Sequence, residues 1–190
     1  MRIVLSGFEP FGGRAVNRSA TAAERLAERW PGELELVTLP VRFATLPEAI
    51  ERVAVTTPDF WLMLGEASSA SGLRLESTAA NEISARIPDN DGAQPQGHPI
   101  APGGKVLQTA LSIDALVREL TKLEVPVERS DDAGRFACNA AYYLALAKLG
   151  ANRVLFVHVP DDATKLSGEQ VLRGLFGVLE FVFPRAPAST

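Results

Sequence analysis

With 190 residues, 46% of them hydrophobic and 7% aromatic, the chain can bury one sizeable core and is expected to form a single domain. A net charge of -4 provides no cationic field for a phosphate backbone, so nucleic acid is not an expected partner. One cysteine and two histidines exclude an intrachain disulfide and a multi-thiolate zinc site, and no apolar run is long enough for a signal peptide or a membrane span; no metal, no cofactor, no membrane and a cytoplasmic location are the expectations.

Residues 3–6 form a short β-rich run that ends at Gly7, and Gly12 and Gly13 mark a tight loop. Ala23, Leu26, Ala27 and Trp30 recur at helical spacing over 19–30, and Pro31-Gly32 stops the pattern. Residues 34–39 alternate as a strand, 46–55 are helical, and 60–64 are a continuous apolar run that suits a central strand, with Gly65 ending it. Leu73 and Leu75 alternate with Arg74 and Glu76, which predicts a half-buried strand or extended segment to about residue 80 with Arg74 and Glu76 on one face. Pro88, Pro95, Pro99 and Pro102, interspersed with glycines, make 88–104 a long surface loop of the kind that borders sites. A helix over 113–123, a strand over 125–128, a helix over 137–149, a strand over 153–158 and a helix over 166–181 complete the pattern, with 184–190 as a frayed tail. This alternation predicts an α/β protein of three layers, α/β/α, with an open, mostly parallel twisted sheet and helices on both faces.

The topology gives meaning to Cys138 and His158. A free cysteine is most often a small buried hydrophobe, and a histidine at a strand end is often structural. Here, however, Cys138 falls at a helix start, where the positive end of the helix dipole favours a thiolate in general, and His158 closes the strand that follows that helix. Helix N-termini and strand C-termini share one edge of a doubly wound sheet, so the two side chains are expected to converge there.

Four segments then occur in order: Gly7-Phe8-Glu9-Pro10-Phe11-Gly12-Gly13; Glu76 through Ala85-Arg86-Ile87-Pro88-Asp89-Asn90-Asp91-Gly92; Asp132-Ala133-Gly134-Arg135-Phe136-Ala137-Cys138-Asn139; and Phe156-Val157-His158-Val159-Pro160. Together they resemble pyroglutamyl peptidase type I, also called pyrrolidone-carboxylate peptidase, over essentially the whole chain. The resemblance implies a metal-free cysteine peptidase with a triad of Glu76, Cys138 and His158, which removes an N-terminal 5-oxoprolyl residue from peptides through a thioacyl-enzyme. It also implies Phe8 and Phe11 as pocket aromatics, Asn17 near the site, Arg86 as a source of positive charge, and a possible homotetramer. Read alone, Glu76 is a solvated strand charge, Phe8 and Phe11 are core residues, Asn17 is a helix cap and Arg86 a salt-bridge partner.

Residues 66–72 depart from the family, with Glu66 at a substrate-side position often held by Gln or an apolar residue; Ser77 replaces a basic residue, and the chain is shortened around 161–167. These departures motivate two alternatives: a related thiol amidase for another small N-acyl group, and a catalytically idle binder of pyroglutamyl peptides.

Overall fold

The computed structural model describes residues 1–184, so nearly all of the expected tail lies outside the described residues. The elements run β1 (Ile3–Phe8), α1 (Arg18–Arg29), β2 (Glu35–Leu39), α2 (Leu46–Ala54), β3 (Phe60–Ala67), β4 (Leu73–Glu76), β5 (Thr78–Ala79), β6 (Leu107–Gln108), α3 (Ile113–Lys122), β7 (Val127–Ser130), α4 (Ala137–Leu149), β8 (Val154–Pro160) and α5 (Gly168–Val182). Six strands form one sheet in the order β2-β1-β3-β8-β4-β7. The central strands β1, β3 and β8 are buried along almost their whole length, which explains their unbroken apolar sequences.

The sheet separates two apolar layers. Leu5, Leu62, Leu64, Leu155 and Val157 pack with α1, α3 and α5, whereas Val4, Trp61, Met63, Val154 and Phe156 pack with α2 and α4. The result is the three-layer α/β/α arrangement. Local signals set the helix ends. Asn17 accepts from Ser19 N at the start of α1, Ser167 and Gln170 form a reciprocal capping box at the start of α5, and Gly150 closes α4 with φ 87°.

Three features differ from the sequence expectation. First, Gly7 and Gly65 do not end their strands; β1 continues to Phe8 and β3 to Ala67. A Cβ at Gly7 would lie 2.6 Å from the Ala20 backbone, and one at Gly65 would lie 2.7 Å from the Phe156 ring and 2.9 Å from Cys138 Sγ. These glycines permit close approach rather than breaking the chain. Second, the extended segment after Leu73 splits at Ser77: β4 joins the large sheet, while β5 pairs with β6 in a separate two-stranded sheet. Third, β4 runs antiparallel to β8 and parallel to β7, so the β4–β7 pair reverses the direction of the sheet at that edge. Smaller differences are a β8 that reaches Pro160 and a β7 displaced to Val127–Ser130.

The proline-rich loop lacks regular structure but is tied down. Asp89, 6% exposed, accepts from Phe43 N at 2.7 Å, Ala93 N at 2.8 Å and Asp91 N at 2.9 Å. Asn90 donates to Glu9 and to the Pro10 carbonyl, and an isolated bridge joins Ile83 to His98. Glu9 itself accepts from Arg42, Val41 N and Asn90; burial alone would raise its pKa, and these donors together hold it below the usual carboxylate value.

Candidate active site

Cys138 is the second residue of α4, whose first-turn N–H groups have no intrahelical acceptors. The helix is rich in alanine and buried on most of its circumference, which lets it lie close against the sheet and brings Cys138 Sγ over Gly65 of β3. His158 lies opposite Gly65 in the register of β3 and β8. It is 5% exposed, and its ring packs on Phe156 with centroids 4.9 Å apart.

Glu76 is the last residue of β4 and is completely buried. Because β4 is antiparallel to β8, Glu76 pairs in register with Phe156, one side-chain step deeper than His158 on the same face. From there its Oε1 lies 2.7 Å from His158 Nδ1. Its Oε2 is buried without a hydrogen-bond partner among the described residues. Burial would depress the pKa of His158, but hydrogen bonding to Cys138 and Glu76, reinforced by their charge, outweighs it and raises the value to about 9. These interactions favour the protonated imidazole, which the Glu76 carboxylate contacts at Nδ1.

These residues open onto a cleft of about 970 Å³ whose walls include Phe11, Arg14, Glu66, Arg86, Phe136, Cys138 and His158. Phe11 and Phe136 have ring centroids 5.7 Å apart, and Phe43 meets Phe136 edge-on at 5.4 Å. Phe136, which precedes α4 inside the Cys138 motif, is a wall residue that the sequence expectations do not include. Arg86 is exposed on the cleft wall and makes no hydrogen bond or ion pair among the described residues.

Phe8 and Asn17 are placed differently. Phe8 is 1% exposed and packs against Phe156 at 6.3 Å, so it supports the floor beneath the cleft instead of lining it. Asn17 is 2% exposed; it caps α1 and donates to the Glu9 carbonyl at 3.1 Å, fixing the loop that carries Phe11. Asn139 makes no hydrogen bond to the imidazole among the described residues. It bonds Ala80 N and the Ala80 and Glu82 carbonyls, holding the start of α4 against the chain that follows β5.

Residues 66–77 are also braced. The Glu66 side chain is 2% exposed, accepts from Arg18 N at 2.7 Å and forms an ion pair with Arg14, which also reaches Asp161. Lys165 donates to the Ser68 carbonyl, and Arg74 bonds both Ser69 and Glu128. Ser77 donates to Asp131. Among the described residues no group of three or more His, Cys, Asp and Glu side chains could hold a metal ion, and no helix is long and apolar enough to cross a membrane.

A family model described as pyroglutamyl peptidase matches residues 1–168. The chain belongs to the pyroglutamyl peptidase family. It is 37% identical over 199 residues to a pyrrolidone-carboxylate peptidase of Gloeobacter violaceus, covering 95% of this chain and 96% of that protein. A pyrrolidone-carboxylate peptidase of Clavibacter michiganensis is 36% identical over 173 residues, covering 87% of this chain and 81% of that protein. The crystal structure of pyrrolidone carboxyl peptidase from Thermus thermophilus matches with a TM-score of 0.86 at 32% identity, covering 94% of this chain and 98% of that one. The matched residues 1–168 include the positions of Glu76, Cys138 and His158.

Proposed function

We propose that this chain is a cysteine exopeptidase that removes the N-terminal pyroglutamyl residue from peptides, with Cys138 as nucleophile, His158 as base and then acid, and Glu76 as the residue that orients the imidazole. The observation that carries the assignment of roles is the buried Glu76–His158 bond of 2.7 Å, with His158 and Cys138 lining the same cleft. A carboxylate behind a histidine fixes its orientation and stabilises the imidazolium, as in other nucleophile–base–carboxylate sets.

Cys138 Sγ attacks the carbonyl carbon that joins the pyroglutamyl ring to the next residue. The oxyanion formed there is met by N–H groups at the start of α4, with the Cys138 N–H as the first candidate donor. Collapse breaks the C–N bond, and the imidazolium of His158 gives its proton to the departing amine. Water then attacks the thioester and passes a proton to His158. Free pyroglutamate leaves, and the protonated imidazole beside the Cys138 sulfur is restored. Phe11 and Phe136 offer apolar faces to a flat, uncharged lactam, which suits such a ring better than ion pairs would.

A thiol that must stay reduced suits the cytoplasm. Assembly as a homotetramer, implied by the resemblance, belongs to the same reading and is tested by mass in solution. For the activity itself, turnover of a pyroglutamyl amide is measured for the wild type beside Cys138→Ser. Release by the wild type and almost none by the variant is expected; an active Cys138→Ser would refute the assignment.

A further inference from the structure

Among the described residues the Glu76 carboxylate makes one side-chain hydrogen bond, to His158, while its second oxygen is buried and unpartnered. Side-chain bonding therefore fixes the direction of Oε1 at one point only. What holds Glu76 in place is its backbone. Part of that hold is the pairing of β4 with β7 and β8, but Glu76 is the terminal residue of β4, and the chain departs for another sheet immediately afterwards.

The Tyr142 hydroxyl donates to the Glu76 main-chain carbonyl at 2.9 Å in a fully buried position. Tyr142 lies on α4 one turn after Cys138, so the two side chains are on the same face of the helix. Its ring centroid lies 5.5 Å from that of Phe156, which in turn lies 4.9 Å from that of His158. One side chain thus links the helix of the nucleophile to the backbone of the carboxylate, and through Phe156 it abuts the base. Burial raises the phenol pKa well above its usual value and the Glu76 charge adds to this, against a smaller opposing effect from Thr109, so the hydroxyl remains a donor.

We propose that Tyr142 is a positioning residue for the reaction, whose hydroxyl sets the spacing between Cys138 on α4 and Glu76 on β4 and so keeps His158 aligned between them. The proposal rests on Glu76, Cys138 and His158 being the reacting set. The titratable partners of His158 are Glu76 from β4 and Cys138 from α4; Arg74, opposite it in register, is engaged by Ser69 and Glu128.

Tyr142→Phe removes one oxygen and leaves the ring packing in place. With a pyroglutamyl amide, kcat is expected to fall about tenfold with KM changed less than about twofold, because substrate contacts are untouched while reacting groups lose alignment. The alkaline limb of kcat, together with the His158 titration followed by NMR, should move down by about half a pH unit or more as the Glu76 contact loosens. A variant that is merely less thermostable, with wild-type kcat and an unmoved His158 titration, would overturn the proposal. If Tyr142→Phe does not fold, 4-aminophenylalanine in place of Tyr142, which keeps the ring and a weaker donor at the Glu76 carbonyl, serves instead: a smaller fall in kcat with the His158 titration moved in the same direction is expected, and wild-type values of both would overturn the proposal. Failure of the underlying reading is distinguishable, since it would show as retained activity in Cys138→Ser.

Discussion

Glu76 reaches His158 from a strand that runs against the direction of its own, and this reversal is what buries the carboxylate. In register Glu76 faces Phe156 rather than His158. It contacts the imidazole from the interior side, 2.7 Å from Nδ1, while Cys138 stands at the cleft.

The raised pKa of His158 implies a defined pH dependence. Its value of about 9 exceeds the ordinary 6.5, so acylation that needs the imidazolium is expected to be sustained through neutral pH and to fall as pH rises through about 9. The same shift adds stability that is complete below about 6.5 and is lost as pH rises through about 9. A kcat profile and thermal midpoints across that window check both; an alkaline limb near 6.5 would contradict the geometry.

Glu76→Gln keeps the shape and removes the charge. The His158 pKa should fall, and kcat should drop roughly a hundredfold or more with little change in KM, because the ring loses both its orientation and its counter-charge. Steady-state kinetics with an NMR titration of His158 measure the two effects together.

Gly65→Ala places a Cβ against the Phe156 ring and Cys138 Sγ. About 1–3 kcal/mol of destabilisation is expected from overpacking, accompanied by a loss of turnover larger than the stability loss explains, because the sulfur itself must shift. Chemical denaturation beside kinetics separates the two.

Glu66 at the end of β3 is paired with Arg14. Arg14→Ala leaves a carboxylate that is 2% exposed without its cation, and roughly 2 kcal/mol of stability should be lost, reduced by the partial exposure of Arg14. Glu66→Gln in the Arg14→Ala background should recover part of it. Thermal unfolding of the two variants is the check.

Asp89→Ala orphans the N–H groups of Phe43, Asp91 and Ala93. About 3 kcal/mol of destabilisation is expected, with faster hydrogen exchange over 86–97, including the chain next to Arg86. Unchanged exchange there would show that the proline-rich loop is held by other contacts.

Cys138 and His158 were legible because helix start and strand end are local properties, and an α/β alternation brings them to one edge. Glu76 was not legible from the residues, because a charge alternating with leucines looks solvated, and nothing local announces that β4 runs antiparallel and buried. Only the family motifs pointed to it. Gly7 and Gly65 look like strand ends in the sequence, since a glycine required by a neighbour's approach has the same sequence appearance as one that breaks a strand. The partners of Glu66 and Glu76 are long-range, Arg14 lying 52 residues away and Tyr142 66 residues away, so neither contact has a sequence signature. Phe8 and Asn17 illustrate the opposite case, where the ordinary roles of core residue and helix cap match their surroundings.

The most direct test of the central claim is mass spectrometry of the enzyme quenched in acid during turnover of a pyroglutamyl ester or amide. A pyroglutamyl group on the peptide that contains Cys138, absent from Cys138→Ala and lost on incubation at neutral pH, is the predicted result. Turnover with no acyl group on Cys138 at any quench time, together with full activity after complete alkylation of that thiol, would contradict it.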